Sequence, residues 1–257
     1  MLLKKCCNNL KKLPNRLKSL KSLTFLSIMD CPRLVILSTA KEEKAQSIIN
    51  NGKAEDIMME SFSQLEELTV NSCPSLAAFP LGQRIPTTLK TLDLYGKCDK
   101  MEPDSEEMWL SKSTAPLPLL EYLFIGGWVS LQFLPGCLSN FVHLTSLTII
   151  NCPGLESFPE RGGFPPSLVS LEIGDSVNLK HLIPDGGDHH QMQGLESLTD
   201  LEIRNCPNLE WLPRRCWPPN LKSLGIRGKS RGPVVEEGGA HRDSRPLLLG
   251  SRLMEEE

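Results

Sequence analysis

Residues 144–159 read LTSLTIINCPGLESFP, a short alternating apolar run followed at once by a Cys-Pro pair. The phrase returns as LEELTVNSCPSLAAFP at 65–80 and as LTDLEIRNCPNLEWLP at 198–213. In the first copy Leu147 and Ile149 share one side of an extended segment, and Ser146, Thr148 and Ile150 share the other, because strand side chains alternate with a period of two. Leu144, Leu155 and Phe158 fall where they can fill a core behind that segment. One such unit cannot bury its apolar side alone, so it needs neighbours.

The neighbours are written along the chain. The residue three before the cysteine recurs as Ile28, Val70, Leu94, Ile125, Ile149, Ile173, Ile203 and Ile226, at intervals of 42, 24, 31, 24, 24, 30 and 23. A base period near 24 with loop insertions predicts an α/β leucine-rich-repeat solenoid, a horseshoe with one short parallel strand per repeat on its concave side. Irregular or 3₁₀ structure is expected on the convex side. Eight repeats are legible and a ninth, slipped in register, opens the chain. The repeat domain is placed at residues 1–228, with insertions near 38–62, 99–118 and 183–197, and the Gly-, Pro- and charge-rich tail 229–257 is expected to be disordered. The final apolar layer, Leu224 and Ile226, is then left without a cap.

Cys31, Cys73, Cys152 and Cys206 sit just past the strands, where a small, partly polar side chain can meet turn backbone groups, and Ser176 and Trp128 replace them in two repeats. The prolines that follow fix φ and end strand pairing. Zinc sites need paired ligands two to four residues apart, whereas these cysteines lie 42, 79 and 54 residues apart, so a structural ladder is expected and no metal. A disulfide between Cys31 and Cys73 is the remaining alternative.

Aromatics make up 5% of the chain, while 20 prolines and 19 glycines punctuate it, which fits many short elements. A net charge of −3 offers no global attraction to nucleic acid, and no 18-residue apolar stretch predicts a membrane span. Nine cysteines, two of them adjacent, and the absence of a signal-peptide pattern or an Asn-x-Ser/Thr sequon point to a reducing, cytoplasmic setting.

The unit L-x-x-L-x-I-x-x-C-P-x-L-x-x-F/L-P, with FPPSLVSLEI and WPPNLKSLGI leading into strands, resembles the leucine-rich-repeat region of plant coiled-coil, nucleotide-binding (NB-ARC) disease resistance proteins. The opening LLKKCCNNLKKLP is similar to that family's early repeats. The resemblance covers about residues 1–228. It implies a non-enzymatic, cofactor-free recognition module with protein partners: a pathogen effector or a guarded host protein, and the receptor's own nucleotide-binding module, which it restrains. That module precedes the repeats in the family, so the resemblance also implies a partial gene product. The alternative is a stand-alone truncated scaffold or decoy that binds another protein. A ubiquitin-ligase adaptor would need an F-box, which the sequence does not contain.

Outward strand positions form two columns: Ser27, Thr69, Asp93, Phe124, Thr148, Glu172, Glu202, Gly225, and Met29, Asn71, Tyr95, Gly126, Ile150, Gly174, Arg204, Arg227. From these a protein-binding surface is predicted, with Tyr95, Tyr122, Phe124 and Ile150 as an apolar patch beside the charged residues Glu172, Glu202, Arg204 and Arg227. Lys4, Lys5, Lys11, Lys12, Arg16, Lys18 and Lys21, with no acidic residue among them, offer an intramolecular docking patch by the same resemblance. Nucleic acid fits this patch poorly, because no aromatic residue precedes Phe25. Gly228-Lys229-Ser230 lacks the first glycine of a phosphate loop, since Ser223 holds that place, and the Asp185 to His190 segment DGGDHH reads as a solvated loop.

Overall fold

The computed structural model describes residues 2–5, 7–13, 19–34, 62–75, 86–96, 118–129, 131–132, 134, 138–158, 164–182, 195–209 and 217–228. Nine strands form one sheet: β1 (Leu2–Lys5), β2 (Phe25–Met29), β3 (Glu67–Asn71), β4 (Thr91–Tyr95), β5 (Tyr122–Gly126), β6 (Ser146–Ile150), β7 (Ser170–Gly174), β8 (Asp200–Arg204) and β9 (Ser223–Arg227). Their spatial order is their sequence order, and every neighbouring pair is parallel. This is the leucine-rich-repeat solenoid that the period of 24 predicts.

The ladder is built from the chain's own punctuation. Ahead of most strands a turn closes between a leucine N–H and the carbonyl three residues back, as in Leu65 to Phe62 and Leu144 to Phe141, each 3.0 Å. The residue that opens the turn is itself buried at Phe62, Phe141 and Leu195, so the chain enters those strands from the core, whereas Leu20 ahead of β2 is exposed. The strand's two inward residues then stack on those of the next repeat, Leu147 with Leu171 and Ile149 with Ile173, all at most 3% exposed. Leu144, Cys152, Leu155 and Phe158 complete the same layer. No repeat has a core of its own, and burial is shared between neighbours throughout.

Beyond each strand from β2 onward the backbone makes one left-handed step. Asp30, Ser72, Asn151, Asp175 and Asn205 have φ between 50° and 54°, and Gly96, Gly127 and Gly228 have φ of 108°, 73° and 111°. These residue types tolerate positive φ at least cost. From Asp30 to Asn205, each residue of this column donates its N–H to the last strand carbonyl of the following repeat, for example Asn151 to Gly174 at 2.9 Å and Asn205 to Arg227 at 2.8 Å. The left-handed step thus adds a further rung to the parallel ladder as the chain turns inward.

The cysteines occupy the next position. Cys31, Cys73, Cys152 and Cys206 donate S–H to the carbonyl two residues back at 3.3, 3.4, 3.5 and 3.4 Å, and Ser176 does the same with its hydroxyl at 3.2 Å. In turn the Cys152 sulfur faces the backbone N–H groups of Gly127 and Trp128 in the preceding repeat, and the Cys206 sulfur faces that of Ser176. None of the four is in a disulfide, so Cys31 and Cys73 are not bridged.

The two ends depart from the regular pattern. The first repeat is not slipped: β1 joins β2 in the common register, Leu2 opposite Leu26 and Lys4 opposite Ile28. A lysine at the register position of a core residue is what disguises that repeat in the sequence. At the other end Leu224 is half-buried and Ile226 is 47% exposed, against 2% for Ile203 one layer inside, so among the described residues the last layer is open. Away from the strands the coil is a 3₁₀ turn at Leu138–Asn140 and a thin second ladder, with a parallel bridge from Ser157 to His181. The tail 229–257 and the bulk of the three insertions lie outside the described residues.

Candidate functional site

Register places the outward columns as the alternation predicts. Ser27, Thr69, Asp93, Phe124, Thr148, Glu172, Glu202 and Gly225 lie directly opposite one another along the sheet. Met29, Asn71, Tyr95, Gly126, Ile150, Gly174, Arg204 and Arg227 form the second column in the same way. Two residues of the first column are less open than an outward position suggests: Ser27 is fully buried and Thr148 is 7% exposed. Thr148 sits between Phe124 and Glu172, and its side chain hydrogen-bonds that of Tyr122 on the adjacent strand, which closes the gap above it.

Glycine organises the aromatic half. A Cβ at Gly126 would lie 2.5 Å from Tyr95 Cδ2 and 2.9 Å from Phe124 Cε1, so the missing side chain is the space in which both rings rest. Their centroids are 6.1 Å apart with planes tilted by 45°, a favourable aromatic geometry. Tyr122 is half-buried beside them, and burial raises its hydroxyl pKa. Asp93 lies across from Phe124, two residues before Tyr95 on the same strand. Burial likewise raises its carboxyl pKa.

The charged half repeats the device in mirror image. A Cβ at Gly174 would meet Arg204 Nε at 2.6 Å and Cγ at 2.8 Å, so Arg204 folds back over that glycine. There its Nη2 reaches Glu172 Oε1 at 3.1 Å and its Nε reaches Asp175 Oδ2 at 4.0 Å, and Arg227 Nη1 reaches Glu202 Oε1 at 3.8 Å. Glu172 and Glu202 face each other directly, as do Arg204 and Arg227, so the ion pairs run along diagonals and offset the like-charge contacts. Ile150 stands between the two glycines, with Tyr95 leaning toward it from one side and Arg204 from the other. The predicted surface residues therefore form one continuous face.

The basic opening of the chain is described only in part. Lys11 and Lys21 are exposed, Lys12 is half-buried, Lys4 and Lys5 lie on β1, and Arg16 and Lys18 lie outside the described residues. The DGGDHH segment and Lys229-Ser230 also lie outside them. Among the described residues no three His, Cys, Asp or Glu side chains converge to hold a metal, and no helix is long and apolar enough to cross a membrane. Burial pushes the Cys152 thiol up to about 11 and raises Cys31 and Cys206, which disfavours the reactive thiolate. Sequence reasoning missed the left-handed column, although the string Asp, Ser, Gly, Gly, Asn, Asp, Asn, Gly one residue past each strand is its signal.

No protein-family profile matches the chain. Among solved structures, the leucine-rich repeat domain of the type III effector XopL superposes with a TM-score of 0.53 at 22% identity, over 88% of this chain and 75% of that one. That likeness shows the fold. Among curated proteins, a putative disease resistance protein of Arabidopsis thaliana is 34% identical over 160 residues, 62% of this chain and 10% of its own length. Disease resistance protein RPS4B of the same plant is 26% identical over 66% of this chain and 14% of its length, and disease resistance protein RPP4 is 26% identical over 81% and 19%. The chain is thus similar to plant disease resistance proteins and spans 10% to 19% of the length of these relatives.

Proposed function

We propose that this chain is the protein-recognition module of a plant intracellular immune receptor, binding a pathogen effector or a guarded host protein on its concave face. The observation that carries the reading is the face itself. Tyr95 and Phe124 rest in the space left by Gly126 and sit beside Tyr122 and Ile150 on an in-register sheet, as aromatic anchors do at protein interfaces. The similarity to disease resistance proteins supplies the biological setting. Restraint of a receptor's nucleotide-binding module belongs to the same proposal, with Lys4, Lys5, Lys11, Lys12, Arg16, Lys18 and Lys21 as its contact residues.

A binding assay against a panel of effectors and host proteins tests the face. A partner found with the wild-type chain should be lost with Tyr95→Ala/Tyr122→Ala/Phe124→Ala, while far-UV circular dichroism shows the solenoid intact. Undiminished binding by the folded triple variant refutes the concave-face reading. Lys11→Glu/Lys21→Glu should in turn weaken association with a nucleotide-binding module and leave effector binding unchanged.

A further inference from the structure

The aromatic half of the concave face holds one carboxylate with no counter-charge. Asp93 makes no hydrogen bond or ion pair among the described residues, whereas Glu172 and Glu202 are both taken up by arginines. Directly opposite it is Phe124, on the parallel neighbouring strand roughly 4.8 Å away. Tyr95 follows two residues later on the same strand, and Tyr122 lies on the diagonal, close enough for the Asp93 charge to act on its hydroxyl. The other charged outward residue of β2 to β6 is Glu67, also acidic, and these strands carry no outward lysine or arginine. This half of the face therefore supplies aromatic rings and negative charge, while the arginines of the other half are held by Glu172 and Glu202.

We propose that Asp93, Tyr95 and Phe124, with Tyr122 alongside, form a site for an arginine side chain presented by the partner protein. This rests on the concave face being the recognition surface and names the chemistry of what it takes. An arginine suits the site better than a lysine, because its planar guanidinium stacks on aromatic faces, is weakly hydrated, and donates two parallel hydrogen bonds to a carboxylate. Gly126 is the positioning residue: by leaving room for both rings it sets the angle at which they flank the carboxylate. Burial has already raised the Asp93 pKa, so a carboxylate stripped of part of its water gains more from an incoming cation than a solvated one does.

The test uses the full chain and N-acetyl-arginine-N-methylamide as probe, with its citrulline and lysine counterparts, followed by NMR of the tyrosine, phenylalanine and aspartate side chains. Arginine should give saturable shifts at Asp93, Tyr95 and Phe124 and lower the Asp93 pKa. Citrulline, equal in shape but uncharged, should bind at least tenfold more weakly. Asp93→Asn should remove the difference between the two. Gly126→Ala, which keeps every ligand-facing group, should weaken arginine binding severalfold by displacing the rings. Equal binding of arginine and citrulline, equal binding of lysine, an unchanged Asp93→Asn variant or no saturable shift in the millimolar range would each overturn the assignment. If the alanine triple variant loses its protein partner while no arginine preference exists, this inference fails and the recognition face stands. If arginine binds but the triple variant keeps its partner, the reverse holds.

Discussion

Gly96→Ala tests whether the left-handed column holds the solenoid together. Its φ of 108° lies outside the small left-handed region open to residues with a Cβ, whereas Asn151, at the same place in its repeat, has φ of 54° inside it. An alanine at 96 meets two costs. The first is the strain of that conformation, about 1–3 kcal/mol. The second is overlap, because the new Cβ would lie 2.8 Å from the Ser72 backbone N and 3.0 Å from its Cα, atoms fixed by the 2.9 Å bond from Ser72 N–H to the Tyr95 carbonyl. Backbone cannot swing aside as a side-chain tip does, so overpacking adds about 1–3 kcal/mol more. We expect a loss of about 4 kcal/mol, against about 1 kcal/mol for Asn151→Ala, which incurs only the left-handed penalty. Urea unfolding followed by far-UV circular dichroism, with both variants beside wild type, measures the difference. A Gly96→Ala protein within about 1 kcal/mol of wild type, or no less stable than Asn151→Ala, would show that the turn relaxes freely and that the column is incidental.

Depth within the stack should grade core substitutions: Ile149→Ala is expected to cost about 3–4 kcal/mol and Ile226→Ala under about 1, since the former is fully buried and the latter 47% exposed. Similar losses in urea melts would mean that the last layer is covered. The Cys152 thiol, at about 11 in the folded chain against 9.0 when unperturbed, stays protonated in the fold while the unfolded chain ionises. Its contribution is therefore intact below pH 9 and is lost as pH rises toward 11, about 3 kcal/mol in all, and Cys152→Ser should flatten that alkaline decline in pH-resolved melts. Below pH 8 the same thiol should resist a thiol reagent until the protein unfolds, and fast labelling of the native chain would contradict its burial. The Glu172–Arg204 pair is more than one-third exposed at the arginine, so a double-mutant cycle should return less than about 1 kcal/mol, falling further in 1 M salt.

What was legible in the sequence was what repeats. Leu147 and Ile149, Leu171 and Ile173, Leu201 and Ile203 announce the inward columns because burial demands the same residue class at the same place in every coil. The outward columns follow by alternation, which is why the sequence alone sets Tyr95, Phe124 and Arg204 on one face. Where a repeat violates the class the reading failed, as at Lys4, whose charge at a core register position hid an in-register strand. The depth of an outward residue was not legible either. Thr148 is buried by the bulk of its neighbours and the reach of Tyr122, and a one-letter pattern carries neither.

The glycines show why the site is harder to read than the scaffold. Rungs of the ladder are backbone hydrogen bonds, indifferent to what the outward side chains are, so those positions are free to vary without disturbing the stack. Gly126 and Gly174 are constrained from a different source. Each lies on an outward column, and each accommodates the side chain of an adjacent strand, Tyr95 at one and Arg204 at the other. The constraint is pairwise, between strands 31 and 30 residues apart in sequence, and it shows in the chain only as a missing side chain. A substitution at either glycine would leave the solenoid standing and re-aim its neighbour, so the geometry of this face is set by what these positions omit as much as by what Tyr95 and Arg204 supply.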